Sequence, residues 1–128
     1  INTFISYDTY SRKENLITLG GSPRKGIPPN QFREEILNEF QEFVNSGLED
    51  GELDQVKSRL LANNIYKFDS VFYQVMQVGM LETKNYNWRL LDSYIEDINS
   101  INEDDLKNTA KNFILNKKHL YSLIEPKS

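Results

Sequence analysis

Residues 52–82, ELDQVKSRLLANNIYKFDSVFYQVMQVGMLE, hold two helical patterns of different kind, and the contrast between them sets the architecture. In the first, Leu53, Val56, Leu60, Leu61, Ile65 and Phe68 recur at the spacing of one helix face, and the upstream Glu49 and Asp50 suit the positive end of a helix dipole. In the second, Val71, Phe72, Val75, Met76, Val78, Met80 and Leu81 cover more than one face of the wheel, so that helix is expected to be enclosed on most sides. KFDS, residues 67–70, interrupts the two. Asp69 and Ser70 can each cap a new helix and Tyr66 lies one turn upstream, so Tyr66, Asp69 and Ser70 are the candidates for a kink or a break.

Toward the C-terminus, Asn87 precedes a short helical stripe of Leu91, Tyr94, Ile95 and Ile98. Asn102 with Asp105 approximates a capping box, and Leu106, Ala110, Phe113 and Ile114 follow the spacing of a core-facing helix. HLYSLIEP, residues 119–126, alternates Leu120 and Ser122 against Tyr121 and Leu123 and is expected to close the chain as a strand stopped by Pro126. Toward the N-terminus, INTFISYD (1–8) reads as a strand buried largely on both sides, with Phe4 and Ser6 on one face and Ile5 and Tyr7 on the other. After the polar TYSRKE (9–14), NLITLGG (15–21) reads as the second arm of a hairpin, whose Gly20 and Gly21 mark a bulge or a close approach by a packed element. SPRKGIPP (22–29) is punctuation. Pro29 is suited to open a helix in which Phe32, Ile36, Phe40, Phe43 and Val44 face the core, and Gly47 ends it.

The order strand, strand, several helices, strand predicts an α+β fold: an antiparallel sheet with a layer of helices on one face. Three strands form a small sheet for so much apolar helix surface, so a further strand or helix is expected from outside. The chain is read as one domain over 1–128. Its start at Ile1 rather than Met, inside strand-like sequence, suggests a piece of a longer protein, which alone could form a homo-oligomer through its uncovered surfaces.

The 128 residues are enough to bury roughly two thirds of the unfolded chain's surface. With 38% hydrophobic and 27% charged residues the chain is too apolar for a disordered segment. Fifteen Lys and Arg against nineteen Asp and Glu leave a net charge of -4, which argues against nucleic acid or anionic lipid as a partner. No apolar stretch approaches the ~20 residues of a membrane span, and no signal peptide is recognisable. The absence of cysteine removes disulfides, thiolate zinc sites and a cysteine nucleophile, but leaves the compartment open.

Few residues are arranged for chemistry. His119 is the single histidine of the sequence, where a catalytic zinc site generally needs about three protein ligands, so we read it as a solvated or hydrogen-bonded strand-end residue. Glu49, Asp50, Glu52 and Asp54 contain an Asp-Gly pair but lack the spacing of a calcium loop, and helix-start electrostatics accounts for them. Glu103, Asp104 and Asp105 have the same reading. LGGSPRKG (19–26) lacks the ending and spacing of a phosphate-binding loop. Ser70 with Asp69 and Tyr66 has no base placed near it by sequence, so capping is the stronger account. No catalytic, metal or cofactor residue is assigned in this chain.

Three stretches carry a resemblance. ELDQVKSRLLANNIYKFDSVFYQVMQVGMLE (52–82), NWRLLDSYIEDINSINEDDLKNTAKNFI (87–114) and HLYSLIEP (119–126), extended back through SYDTYSRKENLITLGGSP (6–23), resemble the C-terminal part of the noncatalytic half of pitrilysin/insulinase zinc metallopeptidases. The resemblance implies the half-domain fold shared with mitochondrial processing peptidase, in which two α+β halves close around an extended peptide. It implies zinc in the partner half, held through an inverted H-x-x-E-H motif that is missing from this sequence. The family's substrate-holding Arg and Tyr would precede Ile1, so no residue here takes their role. The expected partners are a zinc-bearing half, on the same chain or another subunit, and a peptide substrate; the piece itself is expected to be inactive. Relatives serving as core proteins of respiratory complexes make a non-proteolytic assembly subunit the alternative, and a binding module that offers its sheet edge to a partner strand is a third reading. An exported bacterial location is compatible with the resemblance alone.

Overall fold

The computed structural model describes residues 2–124. Helix and strand are mixed, in the order β1 (Asn2–Ser6), β2 (Thr18–Ser22), α1 (Pro29–Ser46), α2 (Glu52–Phe68), α3 (Val71–Thr83), α4 (Leu90–Ser100) and α5 (Glu103–Thr109), the last continuing as a π-helical segment, Ala110–Leu115. The described residues fall into two compact units. Unit 1 takes residues 2–6, 17–47 and 104–124; unit 2 takes 7–16 and 48–103.

In unit 1, β1 and β2 form a two-stranded antiparallel sheet with Asn2 opposite Ser22, Phe4 opposite Gly20 and Ser6 opposite Thr18. The glycines are there because other groups fill their side-chain space. A Cβ on Gly20 would stand 2.5 Å from Phe4 Cζ, and one on Gly21 would meet the Asn2 carbonyl oxygen and stand 2.8 Å from Phe32 Cζ. Phe32 thus lays the start of α1 against the hairpin. Pro28 and Pro29 open α1 and Gly47 closes it at φ 83° and ψ -167°, a conformation open to glycine, its N–H donating to the Phe43 carbonyl at 2.9 Å. Phe32, Ile36, Phe40, Phe43 and Val44 are half-buried, whereas Arg33, Glu34, Glu35, Glu39 and Glu42 are exposed, as the spacing requires. α1 packs on the π-helical segment, whose Ala110 and Ile114 are buried.

Three sequence expectations fail in this unit. β1 is exposed along its whole length, Phe4 and Ile5 included, because a two-stranded ladder with one short helix approach has no second layer to bury both faces. Residues 118–124 form no strand; Leu120 and Ile124 are each 96% exposed, and a strand needs a partner edge to take its backbone hydrogen bonds. The rest of that expected strand, including Pro126, lies outside the described residues. Phe113 points away from the core because the helix widens after Thr109: the Asn116 N–H donates to the Lys111 carbonyl, five residues back, at 3.0 Å. The wider turn keeps Ala110 and Ile114 on the buried side and rotates Phe113 off it.

In unit 2, α2 packs on both α3 and α4. Lys57 of α2 donates from Nζ to the Asn99 carbonyl at 2.8 Å, placing a cation at the negative end of α4. Leu53, Leu61, Phe68, Leu91, Tyr94 and Ile98 are half-buried, and Leu81 is fully buried. α3 departs from expectation. Its apolar residues are not enclosed: Val71, Phe72, Val75 and Met76 are 72%, 78%, 66% and 46% exposed, because only the side of α3 nearest Leu81 meets α2. Among the described residues no helix is long and apolar enough to cross a membrane.

Candidate functional site

The break between α2 and α3 falls at Asp69 and Ser70. Asp69 keeps helical dihedrals and donates its N–H to the Ile65 carbonyl at 3.2 Å, so it belongs to the end of α2. Ser70 turns extended (φ -89°, ψ 116°), and its hydroxyl oxygen accepts a long bond, 3.4 Å, from the Tyr73 N–H, satisfying one of the orphan donors of α3. Gln74 crosses the break to donate to the Phe68 carbonyl at 2.6 Å, and the Phe68 and Tyr73 rings meet edge to face at 5.4 Å. Tyr66 stands apart from these groups, exposed on α2. The three residues singled out by sequence therefore do not converge on one point.

The richest polar cluster lies elsewhere, where the segment 7–16 meets the C-terminal end of α3. That end is a Schellman closure: Asn85 adopts a left-handed φ of 67°, the Tyr86 N–H returns to the Leu81 carbonyl at 2.9 Å, and the Asn85 N–H to the Glu82 carbonyl at 3.1 Å. The Arg12 guanidinium donates to the exposed Thr83 carbonyl, and the Lys84 ammonium donates to both carboxylate oxygens of Asp8 at 3.2 and 3.0 Å. Two cations thus sit at the negative pole of α3. Tyr86 donates its hydroxyl to the Ser11 carbonyl at 2.9 Å while its ring meets Tyr10 edge to face at 5.6 Å. Lys84 holds the Asp8 carboxyl below its ordinary value through its hydrogen bond; burial opposes the shift, and the Tyr10 N–H and the charge of Lys84 add to it. Sequence reading took 9–14 as a plain polar turn. The signal missed was the alternation of Asp8, Tyr10 and Arg12, one acceptor, one ring and one cation projecting from a single short segment.

Beside this clamp, Tyr10, Leu60, Asn63, Asn64, Tyr73 and Tyr94 line an open cleft of about 230 Å³ in unit 2. It is smaller than the ~300–1,000 Å³ of ordinary small-molecule sites, and its lining is amide, phenol and apolar, with Lys67 as its one charged side chain. Among the described residues no group of three His, Cys, Asp or Glu is placed to hold a metal ion. His119 is exposed, and its Nε2 lies against the Ile114 carbonyl of the π-helical segment, a group that can only accept a hydrogen bond.

One uncommitted feature is the α3 face. Val71, Phe72, Val75 and Met76 stand on adjoining positions of one helix side, joined by Gly79, and no charged residue interrupts 71–81. Such a surface is suited to packing, not to chemistry. No protein-family model and no curated protein matches this sequence.

Proposed function

We propose that the chain forms part of the substrate-chamber wall in the noncatalytic half of a pitrilysin/insulinase-type zinc metalloendopeptidase. In this reading it adopts the half-domain fold of the mitochondrial processing peptidase class, encloses a peptide substrate and packs against a zinc-bearing half. The observation that carries the reading is the charge-free, uncovered side of α3, a surface that costs solubility unless another layer rests on it. The order and separation of the stretches at 6–23, 52–82, 87–114 and 119–126 support it. Zinc, the water it activates and the general base belong to the partner half; this chain's part is to shape and enclose.

The test uses the parent protein and the 128-residue chain side by side. With a quenched fluorescent peptide and added zinc, the chain alone should neither hydrolyse peptide nor retain stoichiometric zinc. In the parent, Phe72→Glu with Val75→Glu should lower peptide hydrolysis while zinc content is unchanged. Hydrolysis or tight zinc binding by the chain alone would refute the proposal. A parent that lacks H-x-x-E-H in both itself and its partner subunits, and that is inert with peptides, would replace it by the core-subunit reading.

A further inference from the structure

Asp50 and Gly51 occupy the middle of a reverse turn closed by the Glu52 N–H on the Glu49 carbonyl at 3.1 Å, immediately before α2. Both residues are exposed, and Gly51 is left-handed, with φ 80° and ψ -2°. The space where a Gly51 side chain would sit is empty within 4 Å, and among the described residues the Gly51 N–H makes no hydrogen bond. An aspartyl side chain is followed here by an amide nitrogen that is unhindered, uncommitted and carried on the residue type most free to swing its peptide plane.

We infer that Asp50–Gly51 is a site of spontaneous backbone modification, in which Asp50 converts to isoaspartate. The Gly51 amide nitrogen attacks Cγ of the protonated Asp50 carboxyl; the new C–N bond closes a succinimide as the Cγ–OH bond breaks, and the hydroxyl leaves with the amide proton as water. Water then opens the ring at either carbonyl. Attack at Cγ restores aspartate, and attack at the former main-chain carbonyl leaves the chain running through the β-carbon, with a free α-carboxylate. Mass and charge are conserved, and no oxidant or cofactor is needed.

Two other aspartates with a small following residue are protected. At Asp69 the next amide, that of Ser70, is engaged with the Lys67 carbonyl at 3.3 Å, and at Asp92 the next amide, that of Ser93, lies inside α4, where the peptide planes are fixed by the helix. The consequence of reaction at Asp50 is local. One added main-chain atom disturbs the turn and the bond from the Glu49 N–H to the Glu52 carboxylate at 3.3 Å, loosening the start of α2. The modified turn presents an α-carboxylate that enzymes methylating isoaspartyl residues recognise.

The experiment is to age the folded chain at 37 °C and neutral pH and to follow the tryptic peptides Glu34–Lys57, Phe68–Lys84 and Leu90–Lys107 by chromatography with electron-transfer fragmentation. Methyl transfer from S-adenosylmethionine by an isoaspartyl methyltransferase serves as a second readout. Isoaspartate should accumulate at Asp50 several-fold faster than at Asp69 or Asp92, and Gly51→Ala should slow it several-fold. Asp50→Glu, which keeps the charge and the turn but lengthens the ring to be closed, should abolish both signals and guards against misfolding of the alanine variant. An Asp50 peptide that stays single, equal rates at the three aspartates, or methyl incorporation undiminished in Asp50→Glu would each overturn the inference.

Discussion

Asn85 carries a left-handed φ without being glycine, and closes α3 at a conformational cost that glycine would not incur. Asn85→Gly should therefore raise the stability of unit 2, by about 0.5–1 kcal/mol in urea unfolding, while leaving the Tyr86 and Arg12 contacts in place. Asp8 is the residue whose protonation matters most to the same corner. Its carboxyl is lowered in the folded chain, so its contribution is present above the unfolded carboxylate value of about 3.9 and is lost as pH falls through the lower folded value. Thermal melts should show wild type above Asp8→Asn at neutral pH, with the gap narrowing below about pH 4 and closing in stronger acid. A gap that widened on acidification would contradict the assigned pairing with Lys84.

At the scale of elements, the apolar stripe of α1 reads well, whereas Val56, Leu60 and Ile65 of the α2 stripe and Ile95 of the α4 stripe are exposed, because those helices meet their neighbours over part of one face. The α1 stripe, its Pro29 start and its Gly47 end are all written locally, because caps and periodicity are properties of the segment itself. What failed has a common cause. The burial of β1, the enclosure of α3 and the strand at 119–126 each depend on a second layer or a partner edge, and apolar residues announce only that they suit burial, not that a partner is present. The π-helical widening after Thr109 is invisible for a different reason: Ala110, Phe113 and Ile114 fit an ordinary helix equally well, and packing against α1 decides which turn is used. Of the candidate site, Ser70 was legible as a small polar residue before an apolar run, whereas the clamp on α3 joins positions more than seventy residues apart and has no local signature. Ser70→Ala should cost about 0.5–1 kcal/mol, the low end for a lost cap because the bond is long, and should raise hydrogen exchange in the first turn of α3.

Taken whole, the molecule leaves Val71, Phe72, Val75 and Met76 in water on one side of α3 and Leu120 and Ile124 on the tail. Sedimentation of the isolated chain should reveal concentration-dependent self-association, and Val75→Lys with Phe72→Lys should shift it toward the monomer without loss of helical circular dichroism. Monomeric behaviour of the wild type at high concentration would mean that the face is tolerated rather than covered. The path of the backbone adds a constraint of its own. Unit 1 is assembled from three separated stretches, the last beginning at Asp104, while unit 2 is complete once Glu103 has been made. During translation the hairpin and α1 are made before the helices of unit 2, yet they must wait for the segment from Asp104 onward before their helical counterpart exists. A stop placed after α4 would accordingly keep unit 2 and leave the hairpin and α1 without the helix they pack on.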